Sequence, residues 1–380
     1  MSKLKKQLKN LIFDKSKLGE PDWPLIIVVS IILLFGLIML TSASGTMAYS
    51  RYGDGYYFLK HQVLAILIGA GLFWYFAKTD YQRWKKYSFY LLIFSIILLI
   101  LVFIPGLASS ANFKARSWIS ILGYSFQPAE FVKLSFLIYL AAWLESRAKK
   151  TNDVSQDIWS FLIVLGIIGG LMLLQPDIGT LAIITLTSLI AYFVGGGKVI
   201  HILTIIFVGL MALVLMIKVM PYQAKRFNCY SKPEISADKD CYQLNQSLIA
   251  VGSGGIWGRG FGASRQKLMY LPEVSGDSIF PVIGEELGFI FSVLLIILFL
   301  ILFYRGYIIA IHSPDHFGKV LALGISSWLV AQAFINIGGM IDFMPMTGVP
   351  LPFISSGGSA IMATMAAIGI LTNISRHARN

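Results

Sequence analysis

Four stretches of the chain, Leu25–Thr41, Tyr87–Ile104, Val199–Ile217 and Val349–Thr372, contain no Asp, Glu, Lys or Arg. Each meets the roughly 17–25 apolar residues that cross about 30 Å of hydrocarbon as a helix. The same pattern, interrupted by polar loops, predicts ten spans, at 24–43, 61–77, 87–104, 127–145, 158–174, 178–194, 199–218, 279–303, 319–340 and 349–373. A membrane β-barrel would instead show segments of about ten residues with alternating polarity, and these runs do not alternate. The expected fold class is all-α: a polytopic membrane protein of about ten transmembrane helices, with a large extracytoplasmic loop, 219–278, before the eighth.

Composition agrees. The 380 residues are 56% hydrophobic and 13% charged, against about 25% charged in soluble domains, and the mean hydropathy is +0.73. Lys and Arg crowd into alternate connections: Lys3, Lys5, Lys6, Lys9, Lys15 and Lys17, then Lys78, Arg83, Lys85 and Lys86, then Arg147, Lys149 and Lys150, and finally Arg376 and Arg379. By the positive-inside rule both termini are expected in the cytoplasm. The expected layout is a basic cytoplasmic arm (1–23), one transmembrane domain (24–375) and a short cytoplasmic tail (376–380). No A-x-A-like cleavage site follows the first span, so that span reads as an uncleaved signal anchor of a bacterial cytoplasmic membrane protein. The net charge of +12 then reports topology and attraction to anionic lipid. A nucleic-acid partner is not expected, because no folded basic domain is present to hold one.

Polar residues at bilayer depth are costly, so they carry the functional information. Glu130 and Lys133 lie i, i+3 on one helical face, close enough to pair; the pair either pins helices or borders a polar cavity. Asp177, in QPDIGT, fits a helix N-cap. Arg116 and Trp118 lie just outside the membrane, where the guanidinium could grip phosphate and the indole could be a belt residue. Asp277 stands at the outer edge of the eighth span beside a basic loop, a setting that suits a general acid or base. Glu285 and Glu286 lie over a turn deeper and are expected to point to different faces, as supports. The glycines from Gly252 to Gly262 read either as turns or as an anion nest. Pro350, Pro352, Gly357 and Gly358 imply that the tenth span begins with broken helix lining a polar cavity, with Ser355 and Ser356 adding hydroxyls. Cys229 and Cys241, both in the long loop, are open to either a disulfide or two free thiols. No metal-ligand spacing is present.

Six stretches, ARSWI (115–119), QPAEFVKL (127–134), QPDIGT (175–180), QSLIAVGSGGIWGRGFGASRQKLMYLPE (246–273), GDSIFPVIGEELG (276–288) and TGVPLPFISSGGS (347–359), together resemble the SEDS family of shape, elongation, division and sporulation proteins. The resemblance implies a peptidoglycan glycosyltransferase that polymerises lipid II at the outer leaflet, working with a class B penicillin-binding protein transpeptidase. It puts Asp277 in the position of the family's essential aspartate, as general base for the acceptor 4-hydroxyl. Arg116, Lys133 and Arg226 become the groups beside the pyrophosphate or sugars. Trp118, Glu130, Asp177, Gln246, Ser253, Arg259, Lys267, Glu273, Ser355 and Ser356 complete the candidate substrate contacts. No cofactor is required, and a divalent cation (magnesium or manganese) is compatible with the leaving group without being demanded by any ligand cluster. The frame of the aspartate departs from the family pattern: Ser275-Gly276 replaces His-Thr, Ser278 replaces Phe, and Pro281 replaces Ala. Ala129 and Ser117 depart similarly, the second leaving less positive charge beside Arg116. Two other functions fit a chain of this kind: a lipid II flippase, or a non-catalytic scaffold for a transpeptidase.

Overall fold

A computed structural model describes residues 19–104, 117–121, 124–150, 158–219, 224, 229–230 and 241–378. Ten long helices among these residues stand where the ten spans are predicted: α1 (Trp23–Tyr52), α2 (Tyr57–Lys78), α3 (Gln82–Leu101), α4 (Pro128–Lys150), α5 (Ile158–Leu174), α6 (Ile178–Val194), α7 (Val199–Val219), α9 (Ile279–Ile311), α10 (His316–Met340) and α11 (Gly358–His377). A shorter helix, α8 (Tyr242–Gly254), lies within the long loop, and a two-stranded hairpin, β1 (Ile119–Ile121) with β2 (Tyr124–Phe126), leads into α4. Six of the helices, α1, α2, α3, α9, α10 and α11, are long and apolar enough to cross a membrane by length and composition. With α5, α6 and α7 as further apolar helices, the chain is a multi-pass membrane protein.

Local chemistry sets the helix ends. Asp22 caps α1 by accepting from Leu25 N at 2.9 Å, and Gly53 ends it in the left-handed region at φ 70°. Asp315 caps α10 through Gly318 N at 2.8 Å. These caps satisfy amides that a helix start leaves unpaired. Packing then sorts the helices. Every second one enters from the same face, so α2, α4, α6, α9 and α11 all begin on the face that carries Asp277. The helix α10 is the hub, packed against α4, α6, α9 and α11. Its Trp328 and Leu329 are fully buried, whereas Leu203, Phe207 and Leu210 of α7 are open to the surroundings, as expected of lipid-facing residues.

Two predicted spans are not single helices. The eighth runs on to Ile311 but breaks at Gly288, whose φ of 78° and ψ of −171° lie outside helix. The tenth begins only at Gly358, because residues 348–357 fold as irregular, largely buried chain. The reason for the first break is close approach. A Cβ on Gly288 would lie 2.3 Å from Gly258 N, one on Gly258 would meet Glu286 O at 2.2 Å, and one on Gly254 would meet Gly284 O at 2.0 Å. Gly254 and Gly258 thus pack against Gly284 and Gly288, backbone on backbone, and this is what the glycine run of the loop does. The carbonyls freed by the break accept from the loop: Arg259 N to Glu285 O at 2.9 Å, and Gly260 N to Glu286 O at 3.0 Å. Irregular backbone at this depth is tolerated because it is paired inside the protein. Cys229 and Cys241 are joined to each other, with Cα atoms 5.5 Å apart.

Candidate functional site

Asp277 ends an irregular turn just ahead of the first helical segment of α9. The turn is tied from several sides. Asn336 of α10 donates Nδ2 to both Asp277 O and Val349 O, each at 2.8 Å. Ser355 Oγ donates to Gly276 O at 2.6 Å, and Ser356 N donates to Ser275 O at 2.7 Å. Residues 275–277 and 349–356 therefore run side by side, and the two stretches singled out separately in the sequence form one structure. Gln62 of α2 braces the second stretch, donating to Ser355 O at 3.1 Å and accepting from Gly357 N at 3.2 Å. The Asp277 carboxylate itself is half-buried and accepts from Gln243 Nε2 at 3.3 Å. Asn336 thus holds the main-chain carbonyl of Asp277, and the 349–356 stretch holds the carbonyls of Ser275 and Gly276 just ahead of it.

The predicted Glu130–Lys133 pair forms, at 2.8 Å, with both side chains almost wholly buried. Lys133 Nζ also donates to Gln332 Oε1 at 2.7 Å and lies 5.0 Å from the Trp328 ring. Gln332 donates in turn to Pro350 O at 2.8 Å. One turn further along α10 stands Asn336, so two neighbouring amides carry both the ion pair and the Asp277 turn. The buried Oε2 of Glu130 and Oδ1 of Asn336 have no hydrogen-bond partner among the described residues. These are acceptors that a bound hydroxyl or amide donor would satisfy.

Glu285 and Glu286 correct the expectation that they face different ways. Both reach into the segment from Gly262 to Lys267. Glu285 accepts from Ser264 Oγ at 2.5 Å, Arg265 N at 3.0 Å and Gln266 N at 3.2 Å. Glu286 accepts from Lys267 Nζ at 2.7 Å, Gly262 N at 3.0 Å and Ser42 Oγ of α1 at 2.8 Å. A turn of amides wraps around the carboxylates, so adjacent residues share one partner.

The remaining candidates divide. Arg116 and Arg226 lie outside the described residues. Asp177 caps α6 through Thr180 N at 3.1 Å and also accepts from Gln127 Nε2 at 3.3 Å, while Gln127 N donates to Ser359 Oγ at 3.0 Å. These bonds gather the starts of α4, α6 and α11 on the Asp277 face, and helix N-termini favour anions. Gln246 and Ser253 sit half-buried on α8, one turn and more beyond Gln243; Trp118 and Glu273 are exposed. Arg259 is partly exposed, with Nε 3.8 Å from Glu285, and Lys267 is buried against Glu286. Sequence reasoning missed Gln62, Gln243, Gln332 and Asn336. Three of them had a signal, since Gln62, Gln332 and Asn336 are uncharged polar residues inside predicted spans. Among the described residues no group of three His, Cys, Asp or Glu side chains gathers as a metal site.

The comparisons with known proteins converge. The FTSW/RODA/SPOVE family of cell cycle proteins matches residues 22–380. Stage V sporulation protein E of Bacillus subtilis is 38% identical over 367 residues, covering 96% of this chain and 99% of that protein. A probable peptidoglycan glycosyltransferase FtsW of Trichlorobacter lovleyi is 37% identical, covering 94% of each chain. A chain of a solved peptidoglycan synthase complex that coordinates polymerization and crosslinking superposes with a TM-score of 0.74 at 26% identity, over 94% of this chain and 98% of its own. This multi-pass chain therefore belongs to the FtsW/RodA/SpoVE family of cell cycle proteins.

Proposed function

We propose that the protein is a peptidoglycan glycosyltransferase that polymerises lipid II at the outer face of the cytoplasmic membrane, with both termini in the cytoplasm. The names of its relatives support the reaction class. The observation that carries the site is the placement of Asp277: Asn336 holds its main-chain carbonyl, Ser355 holds the carbonyl of Gly276 beside it, and the half-buried residue lies just ahead of α9.

In this reading the Asp277 carboxylate takes the proton of the acceptor sugar's 4-hydroxyl. The hydroxyl oxygen forms a bond to the donor's anomeric carbon as the bond from that carbon to undecaprenyl pyrophosphate breaks, and the departing pyrophosphate carries the charge away. General-base assistance of this kind contributes about 10²–10⁴-fold. Helix N-termini on the same face, together with Arg116 and Arg226, stabilise that charge. Lys133 is neutralised by Glu130 and acts mainly by holding Gln332, and through it Pro350. A class B penicillin-binding protein transpeptidase is the expected partner, in keeping with the synthase complex that the fold matches.

The test is glycan-strand formation from purified lipid II by wild type and Asp277→Asn, each with and without the cognate transpeptidase. Polymer from wild type and none from a folded variant is the expected result. Equal polymer from both would remove Asp277 as the base, and polymer from neither would remove the polymerase reading.

A further inference from the structure

Gln243 has no place in the reaction so far, yet its amide is committed to the site. Its Nε2 donates to Ser278 Oγ at 2.9 Å and to Asp277 Oδ1 at 3.3 Å. Ser278 is fully buried and immediately precedes the first helical segment of α9. The amide therefore bridges the acid and the first fixed point behind it, restricting the carboxylate's rotation without neutralising it. The bond from Asn336 acts on the main-chain carbonyl of Asp277 and not on its carboxylate.

The helix that carries Gln243 is itself pinned. Cys241 is the residue ahead of α8 and is bonded to Cys229. The two sulfurs form a small buried cluster with Leu244, against which Met346 packs. Met346 lies in the connection between α10 and the 348–357 turn, so the cluster joins α8 to the stretch that holds Ser275 and Gly276, just ahead of Asp277. The far end of α8 is seated by the packing of Gly254 against Gly284. Without the disulfide, the start of α8 would be tied to Cys229 only through the intervening main chain, and a 3.3 Å hydrogen bond is too weak to order it alone.

We propose that Gln243 is a positioning residue for Asp277, and that the Cys229–Cys241 disulfide keeps it in reach by fixing the start of α8. The inference rests on the reading of Asp277 as the base. It makes turnover depend on the redox state of a bond that lies outside the reacting groups. Because the amide contacts the acid, the effect is expected chiefly in kcat.

The experiment is lipid II polymerisation by the purified full chain with its transpeptidase, comparing wild type with Gln243→Met, which keeps the length and loses the donor. Both are assayed oxidised and after reduction by a phosphine, with free thiols counted to confirm the state. Loss of one hydrogen bond to a carboxylate predicts a fall in kcat of about tenfold. KM should stay within about twofold, with the thermal midpoint unchanged. Reduction should lower wild-type kcat by a similar factor and leave Gln243→Met where it is, because the two changes remove the same restraint. Full kcat in Gln243→Met, or in fully reduced wild type, would overturn the proposal. Losses that multiply, or that appear only as a lower melting temperature, would also overturn it by assigning the disulfide and Gln243 to stability alone. If Gln243→Met fails to fold, the reduced wild type decides. Wild type that makes no polymer in any state would sink the polymerase reading instead, so the two failures are distinguishable.

Discussion

Asp277 and the Glu285–Glu286 pair sit at opposite ends of one short helical segment, yet they are treated in opposite ways. Glu285 and Glu286 are buried and saturated with donors, Glu286 by Lys267, Ser42 and an amide, Glu285 by a hydroxyl and two amides. Asp277 is only half-buried, with its main-chain carbonyl held by Asn336 and its carboxylate reached by Gln243. A carboxylate that must exchange a proton has to stay within reach of the group it exchanges with. One that must hold a loop inside a membrane cannot be left without donors. The three acids thus separate chemistry from scaffolding, and the glycine seam at Gly288 is where the two meet.

The change expected to hurt most attacks that seam. Gly288→Ala would put a methyl group 2.3 Å from Gly258 N on a residue at φ 78°. We expect a cost above about 3 kcal/mol, seen as loss of monodisperse protein in detergent. A folded, active Gly288→Ala would show that the loop and α9 do not pack as described. Next comes Glu286→Gln, which leaves the Lys267 ammonium buried beside a neutral amide. Breaking a buried pair costs about 3–5 kcal/mol. The melting temperature should therefore fall steeply, whereas Asp277→Asn should leave melting unchanged and remove polymer. If the two variants exchanged these outcomes, the division of labour would be reversed.

Much of this was legible in the sequence. Apolar runs interrupted by polar loops were enough to place ten helices, and the Glu130–Lys133 spacing to place an ion pair. The capping role of Asp177 could be read from QPDIGT. Hydropathy could not show the break at Gly288, because a broken helix and a straight one have the same apolar content. The shared partner of Glu285 and Glu286 was equally hidden. Helical geometry sends adjacent side chains apart, and only the loop wrapped around the break brings both into one set of donors. Gln332 and Asn336 were visible as polar residues in a span, but their purpose depends on Pro350 and Val349 lying beside them. That proximity is a property of the tertiary fold. The pairing of the cysteines was undecidable from their spacing.

The termini face provides a milder contrast. There Asp22 pairs with Arg305, its Oδ1 accepting from Nε at 3.1 Å, while also capping α1. Asp22→Asn keeps the cap and loses the charge. Because Arg305 is partly solvated, the expected loss is about 1 kcal/mol or less. Added salt should shrink the difference between the variant and wild type. A loss as large as that of Glu286→Gln would mean the two faces are equally dependent on charge.

The smallest expected effect is a gain. Asp342, just beyond α10, sits at φ 59° with Oδ1 buried and without a partner among the described residues. Burial pushes its carboxyl above the ordinary 3.8. A carboxyl raised in the folded state opposes folding above its folded pKa, and the opposition fades as pH falls towards 3.8 and the group protonates in both states. Exposed Asp54 is the reverse case: its hydrogen bond to Lys60 holds the carboxyl below 3.8, so its contribution is present above that value and lost on acidification through the folded pKa. Asp342→Asn removes the charge and keeps a residue that tolerates positive φ. Stability at neutral pH should rise by no more than about 0.5 kcal/mol, with the gain over wild type shrinking as pH approaches 4. Melting curves across that range check both the sign and the slope. A gain that persisted unchanged into acid would show that relief of backbone or packing strain, and not of a buried charge, is what the substitution supplies.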